Sequence, residues 1–259
     1  MTDAADAPGL LPPIVLVHGA WHGPWCWDAF ADDLRARGRE VLVITLPDHD
    51  RPGQARRVWR TVGAYLRAID DVVASLDRPP ILVGHSMGGY LVQRYLEGHR
   101  PAGAILLASC PRRGVVPVTF RLLRDRPGST LRAVATASLW PVISGAGSTR
   151  DLFFTPTTAD EVVDAVAPRL QNESYLAFLA MLVRWPRPKR IVSPTLVIAA
   201  EQDAIFPLAE ERDLADALGA SLLVIEGCGH DAMLDGPWPQ VAEAVAGWRP
   251  AVPAGSQPA

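Results

Sequence analysis

The 259-residue chain is predicted to fold as an α/β protein, in which helices flank a mostly parallel sheet of about six strands. Short, continuous apolar runs recur along the sequence, which is typical of parallel strands buried on both faces. Amphipathic segments separate these runs, and such alternation favours a doubly wound sheet. One long interval without a strand pattern predicts a helical insertion in that sheet.

The predicted strands are rich in valine, isoleucine and leucine, and they cover residues 14–17, 41–44, 81–83, 104–107, 195–198 and 222–225. Helical patterns lie between them. Most of these patterns carry a boundary signal, either a glycine just after the last turn or a threonine, Thr61, at the start. The predicted helices cover residues 24–37, 62–76, 87–97, 207–218 and 237–248.

Residues 111–194 break the alternation, because several helical patterns follow one another there without a convincing strand. Residues 158–161 resemble a capping box that opens a helix, and residues 174–183 are strongly apolar. An insertion of this length within a compact sheet favours a subdomain of its own. We therefore predict a core over residues 1–110 and 195–248, a helical cap over residues 111–194 inserted in that core, and a disordered tail over residues 249–259.

The bulk composition is that of an ordinary globular protein, with 49% hydrophobic and 20% charged residues. The net charge of −3 gives no reason to expect nucleic acid or an anionic membrane as a partner. No apolar stretch approaches the length that spans a bilayer, and the acidic, proline-rich start lacks the features of a signal peptide. We expect no membrane insertion and a small-molecule partner, and the sequence leaves the oligomeric state open.

The three cysteines, Cys26, Cys110 and Cys228, are odd in number and widely spaced. This spacing argues against a disulfide framework and against a zinc site. A reducing, cytoplasmic compartment fits such cysteine usage best.

The strongest motif is Gly84-His85-Ser86-Met87-Gly88, which directly follows a predicted strand and precedes a predicted helix. The pattern G-x-S-x-G in that context is typical of a nucleophile elbow, a sharp turn that presents a serine above the sheet. The alternative is a glycine-rich turn whose serine merely caps the helix. The strand–turn–helix context favours Ser86 as the nucleophile.

A serine nucleophile needs a base, and the base needs an acid that orients it. His230 follows the last predicted strand, and Asp203 follows the strand before it, in the order that this motif predicts. Both lie at the carboxyl ends of parallel strands, where sites of such sheets form. The rival acids are Glu201, Asp231 and Asp235. The strand end at residues 108–111 offers no carboxylate.

The remaining histidines compete less well for the role of base. His18 and His85 belong to the first loop and to the elbow themselves. We predict that the other three, in early loops or after a helix, are plain surface residues; they are His22, His49 and His99.

The loop His18-Gly19-Ala20-Trp21 follows the first predicted strand and opens at the same edge of the sheet as the elbow. A backbone N–H from such a loop, paired with that of the residue after the nucleophile, forms an oxyanion hole. We assign the two donors to Ala20 and Met87. The alternative is a simple glycine turn.

The first loop, residues 18–27, together with residues 84–89 is similar to the α/β-hydrolase superfamily, and most of all to its branch of plant methyl esterases and hydroxynitrile lyases. The resemblance implies the α/β-hydrolase fold and a serine hydrolase without metal or organic cofactor. Hydroxynitrile lyases of that branch place threonine after the loop histidine and lysine after the catalytic histidine. Gly19 and Asp231 stand at those positions, which favours an ester hydrolase.

The aromatic residues of the first loop and of the cap are the candidates for substrate binding. They are Trp21, Trp140, Phe153, Phe154, Phe178 and Trp185. An apolar pocket suits a hydrophobic ester, thioester or lactone, although the same side chains have the alternative of only packing cap on core. Carbon–carbon bond hydrolases, cofactor-free oxygenases and ligand-binding receptors share the fold and remain the alternatives.

Overall fold

The computed structural model describes residues 11–51 and 58–250. Within these ranges six parallel strands form one sheet in the order β2-β1-β3-β4-β5-β6. This confirms the predicted fold class. The strands are β1 (Ile14–Val17), β2 (Val41–Val43), β3 (Ile81–His85), β4 (Gly103–Leu107), β5 (Thr195–Ala200) and β6 (Ser221–Ile225).

The five helices outside residues 111–194 begin and end close to the predicted boundaries, and short 3-10 turns precede α1 and follow α8 and α9. They are α1 (Asp28–Ala36), α2 (Val62–Ala74), α3 (Met87–Leu96), α4 (Val116–Asp125), α5 (Pro127–Thr136), α6 (Trp140–Ile143), α7 (Ser148–Phe153), α8 (Asp160–Val166), α9 (Tyr175–Val183), α10 (Leu208–Leu218) and α11 (Trp238–Gly247).

The strand order fixes which face of the sheet each core helix covers. The β1-to-β2 connection runs in the opposite direction across the sheet from the β2-to-β3, β3-to-β4 and β5-to-β6 connections. Because parallel crossovers are right-handed, α1 lies on one face while α2, α3 and α10 lie on the other. Helix α11 packs against α1. Both faces of the central strands β1, β3 and β4 are therefore covered, and every residue of these strands is buried.

Of the two side-chain caps predicted at helix starts, one is present and one is not. The Thr61 hydroxyl accepts a hydrogen bond from the N–H of Ala64, as a helix N-cap does. The predicted capping box at residues 158–161 is wrong, although α8 does begin there. The Thr158 hydroxyl instead donates to Asp235 Oδ1 at 2.6 Å, a partner 77 positions away, and Ala159 occupies the N-cap position without a side-chain bond.

The segment between β4 and β5, all of which the structure describes, contains helices α4 to α9 and no strand. An isolated bridge connects its Ser174 to Val58. We retain the proposed division into a core and a cap, with the cap defined as residues 111–194. The predicted disordered tail lies outside the described residues except for positions 249 and 250.

The thiols of Cys26, Cys110 and Cys228 are free and buried. Among the described helices, none has both the length and the apolar character that a bilayer crossing requires.

Candidate active site

Ser86 occupies a strained turn between β3 and α3. Its backbone has φ 54° and ψ −118°, a conformation that non-glycine residues rarely adopt and that functional sites retain. The turn closes only because Gly84 and Gly88 lack side chains. A Cβ on Gly84 would lie 2.5 Å from the carbonyl oxygen of Gly88, and one on Gly88 would lie 2.3 Å from that of Val17. The G-x-S-x-G pattern is thus a steric requirement of this turn.

Ser86, His230 and Asp203 form a continuous hydrogen-bonded chain. His230 Nε2 lies 2.9 Å from Ser86 Oγ, and His230 Nδ1 lies 2.7 Å from Asp203 Oδ2. A carboxylate only accepts, so Nδ1 carries the proton and Nε2 is left to accept the hydroxyl proton of Ser86. This is the tautomer that a general base requires. All three side chains are buried.

The backbone around Asp203 fixes the orientation of its carboxylate. Asp203 Oδ1 accepts the N–H groups of Ile205 at 2.7 Å and Phe206 at 2.8 Å, which leaves Oδ2 to face His230. The rival acids have other partners. Glu201 and Asp235 accept backbone N–H groups, and Asp231 accepts from His22.

The predicted oxyanion donors lie beside the serine. Ala20, Ser86 and Met87 line the same cavity, and Met87 is the first residue of α3, where the N–H groups have no partner within the helix. A Cβ on Gly19 would lie 2.8 Å from His85 Nδ1 and 2.9 Å from Ser86 Cβ. This close approach brings the first loop directly against the elbow.

His22 and His49 are buried, so the prediction that they are surface residues is wrong. His22 Nδ1 donates to the carbonyl oxygen of Ala20 at 2.8 Å, and its Nε2 lies 2.9 Å from Asp231 Oδ2. His49 Nε2 lies 2.9 Å from Glu173 Oε2. Both carboxylate partners are more than 120 positions away in the sequence. No local pattern around either histidine signals such a partner. His99 does remain half exposed.

The His22–Asp231 pair joins the first loop, residues 18–27, to the loop that contains His230. Both ring nitrogens of His22 face acceptors, so both hydrogen bonds form only when the ring is an imidazolium. Burial lowers the pKa of His22, but the charge and hydrogen bond of Asp231 outweigh it, and the pKa is raised. Burial raises the pKa of Asp231, yet the His22 charge holds it below its usual range. The two groups are therefore a buried ion pair.

His85 supports the same loop from the other side. Its Nε2 donates to the backbone carbonyl of His230 at 2.9 Å. Burial and the neighbouring His230 lower the pKa of His85 to about 3, so it stays neutral. His85 and Asp231 thus hold the backbone that positions the imidazole of His230.

We expect Asp231→Asn to lower kcat about tenfold with little change in KM, because it replaces a buried, charge-assisted hydrogen bond with a weaker neutral one. Without the carboxylate, burial returns His22 to the neutral form. Its Nδ1–H still donates to the Ala20 carbonyl and the new amide donates to Nε2, so the substitution removes the charges of the pair and leaves two neutral hydrogen bonds. Since the raised pKa of His22 holds the ion pair together only below that pKa, the two proteins should converge as pH rises through it. The imidazoles of His49 and His85 also lie near this ion pair, but both are present in the two proteins, so their effect on the pKa of His22 is common to both.

The measurement for this prediction is kcat and KM of wild type and Asp231→Asn from pH 6 to 9. Asp164→Asn, an exposed carboxylate on α8, is the matched control and should behave as wild type. A tenfold loss that is equal at every pH would contradict a role for the His22 charge.

A cavity of about 430 Å³ opens onto Ser86 and is walled mostly by apolar side chains of the cap. Of the predicted substrate-binding residues, Trp21 and Phe178 line it. The other four do not, and the prediction is corrected there. Phe154 is buried outside the cavity wall. Phe153 is buried behind the rings of Trp21 and His22, Trp140 packs against the core, and half-exposed Trp185 donates its indole N–H to the Leu182 carbonyl. The aliphatic lining that sequence reasoning missed includes Val115, Val118, Leu122, Leu139, Val142 and Met181.

Comparison with known proteins gives one family and several relatives. A model described as "Alpha/beta hydrolase family" matches residues 14–244. A pyrethroid hydrolase of Sphingobium wenxiniae is 28% identical over 251 residues, which cover 90% of this chain and 86% of that protein. Methyl jasmonate esterase 1 of Vitis vinifera is 34% identical over 85 residues, which cover 32% of this chain and 33% of that protein. A crystal structure of a pyrethroid hydrolase from Sphingobium faniae JZ-2 superposes with a TM-score of 0.63 at 25% identity, covering 91% and 96% of the two chains.

Proposed function

The chain belongs to the alpha/beta hydrolase family, and from that premise we propose that it is a serine hydrolase that cleaves a carboxylic ester of a small, largely apolar substrate. The observation that carries the proposal is the chain of contacts from Asp203 through His230 to Ser86, at 2.7 and 2.9 Å. The names of its relatives, a methyl jasmonate esterase among them, support the same class of reaction.

In the first half of the proposed reaction, Ser86 Oγ attacks the ester carbonyl while His230 Nε2 takes its proton. The negative charge that develops on the carbonyl oxygen is stabilised by the N–H groups of Ala20 and Met87. Asp203 stabilises the imidazolium that forms on His230. The imidazolium then protonates the alkoxide, the alcohol leaves, and the acyl group remains as an ester on Ser86.

In the second half, His230 removes a proton from water, and the resulting hydroxide adds to the acyl carbonyl. The same oxyanion donors act again. Collapse of the tetrahedral intermediate breaks the bond to Ser86 Oγ, which recovers its proton from His230, and the carboxylic acid is released. The chain's own residues supply every proton transfer in this cycle.

The cavity supports a substrate with an apolar part. Its walls come mainly from aliphatic and aromatic side chains, and its volume of about 430 Å³ lies in the range of small-molecule sites. Such walls favour a carbonyl compound whose apolar group is removed from water on binding. A thioester or a lactone presents the same carbonyl to Ser86 and falls within the proposal's wider class.

We expect p-nitrophenyl esters to be hydrolysed with kcat/KM that rises from acetate to longer acyl chains and falls once the cavity is full. Each methylene that becomes buried contributes about 0.8 kcal/mol, a gain of about fourfold. Phe178→Ala, which changes the cavity wall, should shift the preferred length. Its matched control is Phe120→Ala, because Phe120 lies outside the cavity wall and is exposed.

The assay also separates the alternatives. Wild-type rates no higher than those of Ser86→Ala on every ester would argue for carbon–carbon bond hydrolysis, cofactor-free oxygenation or a receptor role. Equal shifts from Phe178→Ala and Phe120→Ala would contradict the assignment of the acyl group to this cavity.

A further inference from the structure

Large apolar side chains are exposed on the outer faces of three neighbouring cap helices. On α9 they recur at spacings of three and four residues and so share one face. Val183 is 77% exposed and Phe120 is 69% exposed. The surfaces of soluble monomeric proteins rarely contain a contiguous patch of such large apolar side chains. We call this set the apolar rim; it comprises Phe120 and Leu123 on α4, Leu131 and Val134 on α5, and Leu176, Leu179 and Val183 on α9.

The apolar rim meets the active-site cavity on α5 and α9. Helices α4, α5 and α9 all contribute to the cavity wall. Val134 on α5 and Leu179 on α9 belong to both sets, since each lines the cavity and is also exposed, at 59% and 41%. Leu131 and Val183 lie one helical turn from these two residues. The exposed apolar surface is therefore continuous with the path to Ser86.

The charge of the chain is divided unequally between cap and core. Residues 111–194 contain 12 arginines and lysines against six aspartates and glutamates, a formal charge of +6. The rest of the chain is therefore at −9, since the whole is at −3. Arg132 on α5 and Arg184 at the end of α9 are exposed beside the rim, and no side-chain partner faces either guanidinium within the described residues.

We propose that the apolar rim docks on an anionic lipid surface, so that the cavity mouth faces the lipid. Apolar side chains flanked by arginines are the combination that binds the interface of an anionic membrane without spanning it. The net charge of −3 hides the positive charge of the cap, because the acidic core offsets it. A second copy of the chain fits less well, since a symmetric dimer through this face would oppose Arg132 and Arg184 to like charges.

The matched control lies at the opposite edge of the sheet. Val192 is 62% exposed and precedes β5, so it lies at the amino end of the strands, away from Ser86. Val183→Glu and Val192→Glu introduce the same charge at exposed valines. They differ only in whether the valine belongs to the rim.

The test is co-sedimentation with large unilamellar vesicles of phosphatidylcholine, alone or with 30% phosphatidylglycerol, in the Ser86→Ala background so that turnover plays no part. We expect binding to the anionic vesicles that weakens in 0.5 M NaCl. Val183→Glu should weaken it at least tenfold and Val192→Glu should not. Arg132→Ala and Arg184→Ala should each weaken it about fivefold. In the Ser86 background, all four variants should retain wild-type hydrolysis of p-nitrophenyl acetate, which also reports that they fold.

Three results would overturn the proposal. The first is wild-type binding that is no stronger on anionic than on neutral vesicles. The second is equal binding by Val183→Glu and Val192→Glu. The third is a dimer in sedimentation velocity that Val183→Glu dissociates, without any vesicle binding, which would assign the rim to a second copy. None of these results bears on ester hydrolysis, and a failure of the esterase assay would leave the vesicle result standing.

Discussion

Replacing Ser86 with alanine should lower kcat for p-nitrophenyl esters by on the order of 10⁵- to 10⁶-fold, as the loss of the nucleophile does in Ser-His-Asp hydrolases. The substitution removes the atom that lies 2.9 Å from His230 Nε2 and is to form the acyl bond. The cavity walls and the N–H groups of Ala20 and Met87 are unchanged, so substrate binding should persist. The measurement is kcat and KM for the preferred ester, together with a binding constant for a non-hydrolysable amide analogue.

Ser193→Ala is the matched control for this experiment. Ser193 is also a buried serine, but it lies before β5 at the amino end of the sheet, and its hydroxyl has no partner within the described residues. Its removal should leave kcat within about twofold of wild type. A Ser86→Ala enzyme that keeps a hundredth or more of the wild-type kcat would contradict nucleophilic attack by Ser86.

Asp203→Asn should lower kcat by about 10⁴-fold, because it inverts the tautomer of His230. The N–H groups of Ile205 and Phe206 both donate to Oδ1, which forces the amide oxygen of an asparagine to that position. The amide NH₂ group then faces His230 Nδ1 and can only donate to it. The imidazole must carry its proton on Nε2, where it cannot accept the proton of Ser86.

Glu201→Gln is the control for the loss of a carboxylate in the same loop. Glu201 is exposed, and among the described residues its carboxylate accepts only the N–H of Gly227. A glutamine oxygen can accept the same N–H, so activity should stay within about threefold of wild type. If Asp203→Asn keeps more than a tenth of wild-type kcat, another carboxylate orients His230. Asp231 would then be the first carboxylate to replace by mutation.

The fold and the order of the candidate triad were predictable, because both depend on local patterns. A run of β-branched residues indicates a buried strand, and the pattern G-x-S-x-G is recognisable within five residues, although the need for glycine at Gly88 comes from Val17 on β1. Asp203 and His230 were found by their positions after successive strands. The parallel sheet brings those strand ends together without any further information from side chains.

The His22–Asp231 ion pair was not predictable in this way. His22 is two positions beyond Ala20 in a loop, and a histidine there has no local feature that separates a surface residue from a buried one. Its burial depends on a carboxylate 209 positions away that the fold alone brings within 2.9 Å. The one available signal was Asp231 itself, placed directly after His230, where the hydroxynitrile lyases that the sequence resembles have lysine.

The walls of the cavity were only partly predictable for a similar reason. Aromatic residues were chosen by type, yet the direction of a side chain depends on how each cap helix packs. Phe178 on α9 faces the cavity, whereas Phe153 at the end of α7 turns under Trp21. Aliphatic residues such as Leu139 and Val142 have no feature in the sequence that separates a wall from a core position.

The most direct test of the central claim is covalent labelling with a p-nitrophenyl alkylphosphonate, from which an activated serine displaces p-nitrophenolate. We expect one phosphonyl group per chain by intact mass, located on Ser86 by peptide mapping. Esterase activity should fall in proportion to the label, and Ser86→Ala should take up none. Full activity in a protein that has been incubated with the reagent to completion, or stoichiometric label on any residue other than Ser86, would contradict the account.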